Sequence, residues 1–97
     1  MKYANTIPNV PTVIYTAPSG EETEIKSLHV SCANVAGASF YLKYVPKNGG
    51  QLYMTPKLFT PPQLSTWDYP GLPFKMQPGD SIHASASNGD NYDLLLD

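Results

Sequence analysis

Ten prolines and seven glycines interrupt this chain so often that few windows remain in which a helix could run. Proline fixes φ and removes a backbone donor, and glycine loses the most conformational freedom on folding, so both punctuate regular structure. Between them lie short runs rich in β-branched and aromatic residues. Thr12-Val13-Ile14-Tyr15-Thr16 is one, closed by the turn Ala17-Pro18-Ser19-Gly20. Ala38-Ser39-Phe40-Tyr41-Leu42-Lys43-Tyr44-Val45 is the clearest, with Phe40, Leu42 and Tyr44 alternating against Ser39, Tyr41 and Lys43. Pro46-Lys47-Asn48-Gly49-Gly50 then turns the chain into Gln51-Leu52-Tyr53-Met54, because Asn-Gly tolerates the positive φ of a tight hairpin.

Three further runs follow. Leu72-Pro73-Phe74-Lys75-Met76 alternates, Gln77-Pro78-Gly79-Asp80 turns, and Ser81-Ile82-His83-Ala84-Ser85-Ala86 places Ile82, Ala84 and Ala86 inward. After the turn Ser87-Asn88-Gly89-Asp90, the segment Asn91–Leu96 places Tyr92, Leu94 and Leu96 inward. Runs of this length and spacing predict an all-β chain: one antiparallel β-sandwich, jelly-roll or immunoglobulin-like, of about seven or eight short strands over residues 12–97. Its inward set is Val13, Leu28, Val30, Phe40, Leu42, Phe74, Met76, Ile82, Ala84, Leu94 and Leu96.

Residues 20–36 read two ways. As a strand over 23–32, Leu28, Val30 and Cys32 share a face, and Ile25 falls out of phase and calls for a bulge. As a helix, Ile25, Leu28, Cys32 and Val35 form a stripe, Ser19 and Glu22 resemble a capping box, and Gly37 could end it. The β character of the neighbouring segments favours the strand.

Residues 1–11 hold Tyr3, Ile7 and Val10 among polar residues, bounded by Pro8 and Pro11. They read as an extended arm that docks on a neighbouring subunit or the underlying shell, since no segment of the chain visibly demands them, with a frayed terminus as the competing reading. Residues 55–71 are irregular and rich in proline, with Trp67 and Tyr69 between Pro62 and Pro70. Such an aromatic loop plugs the end of a sandwich, contacts a protein, or stacks on sugar.

Composition bounds the function. Charged residues are 14% of the 97, against about 25% in an ordinary domain. All six basic residues are Lys; the absence of Arg and of any Lys cluster argues against nucleic acid and against a polybasic membrane contact. The first residues lack an apolar signal core, and no run is long enough for a membrane span, so the expected site of synthesis is the cytoplasm.

Chemistry is sparse. His29 and Cys32 lie three apart, which on a strand puts them on opposite faces, so no shared metal is expected. Asn88-Gly89-Asp90-Asn91 and Asp93 gather oxygen ligands, but the Gly and Glu of a calcium loop are out of place. No Gly-x-Ser-x-Gly elbow occurs, Cys32 falls on the inward phase, and Asp68, Asp80, Asp90 and Asp93 suit turns better than acid–base work. The chain therefore reads as a non-enzyme without cofactor or metal.

The order of motifs resembles a known group. The opening Thr12–Gly20, the run Ile25-Lys26-Ser27-Leu28-His29-Val30-Ser31-Cys32-Ala33-Asn34, the turn Met76-Gln77-Pro78-Gly79-Asp80-Ser81-Ile82 and the terminal Tyr92-Asp93-Leu94-Leu95-Leu96 are similar to small virion structural proteins of tailed bacteriophages. The likeness covers roughly residues 10–97 and leaves out the 55–71 loop. It implies a capsid decoration (cement) protein or a neck or tail component, a homo-oligomer that binds major capsid or other virion proteins and offers no catalytic residues. Tyr3, Ile7, Val10, Trp67 and Tyr69 are the candidate partner-binding residues. A carbohydrate- or receptor-binding module using Trp67, Tyr69 and Tyr41 is the competing reading, and a small enzyme-accessory or regulatory domain a third.

Overall fold

A computed structural model of the chain describes residues 3–7, 9–32, 39–56, 59–60, 65–87 and 92–97 (backbone only for 3–6). Among them there is no helix, and the chain is all-β. Its strands are β1 (Tyr3–Thr6), β2 (Thr12–Thr16), β3 (Thr23–Ile25), β4 (Leu28–Cys32), β5 (Phe40–Val45), β6 (Leu52–Tyr53), β7 (Thr66–Asp68), β8 (Phe74–Met76), β9 (Ser81–Ala86) and β10 (Tyr92–Leu96). They form a four-stranded sheet β1-β10-β4-β7, a second four-stranded sheet β2-β9-β5-β6 and a two-stranded sheet β3-β8. Every pairing is antiparallel.

The ten strands exceed the seven or eight expected for specific reasons. The described part of the ambiguous segment, residues 20–32, is β, as favoured, but it breaks in two; residues 33–36 lie outside the described residues. The N–H groups of Lys26 and Ser27 both donate to the carbonyl of Asp97, at 2.8 and 3.0 Å, and Asp97 N–H returns to Ser27 O at 2.8 Å. This kink carries the chain from one sheet to another. Ile25 needs no bulge to be buried, because it belongs to β3, pairs with Phe74 and is fully covered there.

The bulge lies elsewhere. In β2, Val13 faces His83 while Tyr15 faces Ile82, so Ile14 is the extra residue. The expected core position Val13 is therefore wrong. Val13 is 51% exposed, and Ile14 takes the buried place. Phe74, also expected inward, is only half-buried and packs against the rim of the core. The other expected inward residues are buried, and they join Ile7, Ile14, Ile25, Cys32, Ala86 and Tyr92 in one cluster that draws on all three sheets.

The reading of residues 1–11 as an arm that leaves its own domain also needs correction. β1 pairs with β10 of the same chain, from Tyr3 opposite Leu96 to Thr6 opposite Asp93. Ile7 N–H extends the ladder to Tyr92 O at 2.8 Å, and the Ile7 side chain is fully buried. Covering a side chain of that size contributes about 1.5–3 kcal/mol, enough to hold a short terminal strand in place.

Candidate functional site

A chain of touching aromatic rings runs outward from the core. Phe40 sits at its inner end, against Tyr92 at 4.8 Å between ring centres. Phe59 and Trp67 meet Phe40 edge-on at 5.5 and 5.9 Å and each other at 5.4 Å. Trp67 is set by β7, where its partner across the ladder is Val30, and it is half-buried. Tyr69 follows at 6.2 Å from Trp67, then Phe74 at 5.7 Å and Tyr44 at 6.3 Å. Edge-to-face contacts of this kind are favourable beyond the area they bury.

The outer end of this chain opens into a groove of about 190 Å³ lined by Tyr44, Leu52, Met54, Tyr69 and Phe74. Among the described residues no charged side chain lines it. Leu52 is 66% exposed, a large apolar group left in water beside aromatic walls. One wall is held by a buried carboxylate. Asp80 accepts hydrogen bonds from the Tyr44 hydroxyl, from Lys47 N–H at 3.0 Å and from Gln77 N–H at 3.0 Å. Those bonds hold the Asp80 carboxyl below its ordinary range, the Tyr44 bond contributing most. Burial first, and then the Asp80 carboxylate, push the Tyr44 phenol up to about 12.

Of the five candidate partner-binding residues, Trp67 and Tyr69 are thus in contact, and Tyr69 lines the groove. Ile7 is buried in the core and offers nothing to a partner in this state, which corrects its assignment. Val10 is 59% exposed between β1 and β2. Tyr3 opens β1, and its side chain lies outside the described atoms. Sequence reasoning missed Tyr44, Leu52, Met54 and Phe74 as groove residues. The one available signal was Leu52, an apolar residue directly beyond the Asn48-Gly49-Gly50 turn of a two-residue edge strand.

A second feature lies on the outer face of β5, β6 and β9. The rings of Tyr41 and Tyr53 meet at 5.6 Å, with the Lys43 ammonium 5.5 and 5.8 Å from their centres. Lys43 also donates to Gln51 at 3.2 Å. His83, opposite Lys43 in the ladder, lies 3.1 Å from the Ser81 hydroxyl. Burial, then the Lys43 charge, hold its imidazole below the ordinary histidine value.

The sparse chemistry is dispersed. Leu28, Val30 and Cys32 face the core and His29 faces out, where Nδ1 lies 2.5 Å from Oδ1 of Asp68. Burial raises the Cys32 thiol. Among the described residues no three His, Cys, Asp or Glu side chains come together as a metal site, and no helix is long and apolar enough to cross a membrane. The oxygen-rich turn at Asn88, Asp90 and Asn91 lies outside the described residues.

No family model, characterised protein or solved structure matches the chain.

Proposed function

We propose that this chain is a non-enzymatic structural subunit, a β-sandwich whose work is to be held against other protein chains in a tailed-phage particle, as a decoration or neck–tail component. One observation carries the binding part of this reading: the groove walled by Tyr44, Met54, Tyr69 and Phe74, with exposed Leu52 on its rim. Tyr, Phe and Met are the side chains enriched in the dry centres of protein interfaces, and charged ones are depleted there. The all-β fold supports it too: its described strands form three antiparallel sheets that share one core cluster. Mass spectrometry of purified virions that encode the chain tests the assignment. The subunit is expected at stoichiometric abundance, and its absence from the particles overturns the virion reading.

A second reading has its own observation. The Tyr41 and Tyr53 rings, flanked by Lys43, Gln51 and His83, offer stacking faces beside hydrogen-bonding groups, which is what a sugar ring needs. A glycan array with the parent chain and a Tyr41→Ala, Tyr53→Ala double variant decides it. Binding that the double variant loses would favour this carbohydrate reading over the groove.

A further inference from the structure

Each sheet has edges, and an unpaired edge invites another strand unless something blunts it. In the second sheet, β2 is interrupted by its bulge and β6 is only Leu52–Tyr53. In the small sheet, β3 and β8 are three residues each and carry exposed Glu24 and Lys75. In the first sheet, β7 is three residues and carries exposed Asp68. Only β1, at the other edge of that sheet, has no such device: Tyr3, Ala4, Asn5 and Thr6 include no charge, no proline and no register break.

The ladder fixes which groups that edge presents. Ile7 N–H bonds Tyr92 O, and hydrogen-bonded pairs alternate along an antiparallel ladder, so Asn5 with Leu94 and Tyr3 with Leu96 are also bonded pairs. The N–H and C=O of Ala4 and Thr6 therefore point away from β10. Among the described residues no strand lies beyond them.

We propose that β1 is the self-assembly edge, pairing antiparallel with β1 of a second copy about a two-fold axis through Asn5. This rests on the reading of the chain as an assembly subunit and names the partner for one of its surfaces. The register follows from geometry. Outward-facing Ala4 and Thr6 are two residues apart, so a two-fold places Ala4 of each copy opposite Thr6 of the other. Each pair exchanges both backbone hydrogen bonds, and the first sheet runs on unbroken into the second copy. A proline at position 8 has no N–H to add to such a ladder. Asn5 then faces itself in a non-bonded pair with Cα atoms about 4.5 Å apart, within the range a disulfide spans.

Two variants and the parent test this. The parent chain should scatter light as a dimer of twice 10.6 kDa. Ala4→Pro removes an N–H that faces away from β10, so it should halve the mass while leaving the melting temperature close to that of the chain's own monomer. Asn5→Cys, with Cys32→Ala to leave one thiol, should form a covalent dimer under mild oxidation much faster than Ser87→Cys in the same background. A parent that stays at 10.6 kDa at its highest soluble concentration, an Ala4→Pro chain that remains dimeric, or equal cross-linking at positions 5 and 87 each overturns the assignment. None of these outcomes decides whether the chain is found in virions, so the two readings fail separately.

Discussion

The Tyr44 hydroxyl donates its hydrogen bond to the buried carboxylate of Asp80, and this contact ties β5 to the turn that precedes β9. The same carboxylate takes the N–H groups of Lys47 and Gln77, while the Asp80 backbone carbonyl takes Ala17 N–H at 2.8 Å. Three turns thus converge on one residue. Gly79, at φ +86°, makes the approach possible, since its N–H reaches Ala17 O in a conformation that a side chain would oppose.

Replacing Asp80 by Ala should therefore cost roughly 1–3 kcal/mol, because three part-buried donors lose their acceptor at once. The pH dependence has a definite sign. The folded Asp80 carboxyl is depressed, so its stabilisation is full above the unfolded value of about 3.9 and is lost as pH falls through the folded one. Tyr44 acts in the opposite direction. Its stabilisation is full below about pH 10 and is lost as pH rises toward 12. Melting curves across both limbs should show a smaller alkaline loss in Tyr44→Phe than in the parent, the remainder including Tyr92, whose phenol burial also raises.

Adjacent residues in β2 should behave oppositely. Ile14→Ala empties a core position and should cost about 2–5 kcal/mol. Val13→Ala lies on the exposed side of the bulge and should stay within about 0.5 kcal/mol. Equal effects in denaturant titrations would place the bulge elsewhere.

This pair also shows where sequence stops being informative. Strict alternation made Phe40, Leu42, Ile82, Ala84, Leu94 and Leu96 legible, because a two-residue period decides the face when the strand is regular. Ile14 was not legible, since one inserted residue reverses the phase and leaves no mark in composition. Ile25 was hidden by the Lys26–Ser27 kink, whose partner is Asp97 at the far end of the chain. β1 was missed for the same reason, its partner being β10. Among the described strands only β5 and β6 are neighbours both along the chain and in space, so most pairings depend on contacts that no local pattern announces. The groove is harder still. Tyr44, the Leu52–Met54 run, Tyr69 and Phe74 lie apart along the chain, and of these residues only Tyr69 was a partner-binding candidate.

Removing residues 1–11 should now destabilise the isolated chain. The deletion strips β10 of its β1 ladder and leaves a void where Ile7 was buried. Ile7→Ala alone should cost about 2–5 kcal/mol. A chain starting at Thr12 that melts with the full-length protein would show that β1 contributes nothing in cis.

On the outer face of β5 and β9, His83 should titrate below an ordinary histidine in NMR. Burial is the larger cause, so Lys43→Gln should raise its pKa only part of the way back. The native state resists the charged imidazole, and the corresponding stabilisation is present above about pH 6.5 and is lost as pH falls through the folded value. A full return to the ordinary value in Lys43→Gln would mean that charge, not burial, governs the site.

Stability and binding should separate along the aromatic chain. Trp67 packs on Phe40, Phe59 and Tyr69, so Trp67→Ala should cost about 3–5 kcal/mol, and any loss of binding should follow from unfolding. Leu52 stands mostly in water, so Leu52→Asp should leave the melting temperature nearly unchanged. In the groove, however, the new carboxylate would be trapped without a partner once a protein chain covered it, and desolvating an unpaired charge opposes association strongly. Co-sedimentation with particles lacking the subunit should therefore succeed for the parent and fail for Leu52→Asp. Equal incorporation of both would remove the groove from the binding surface.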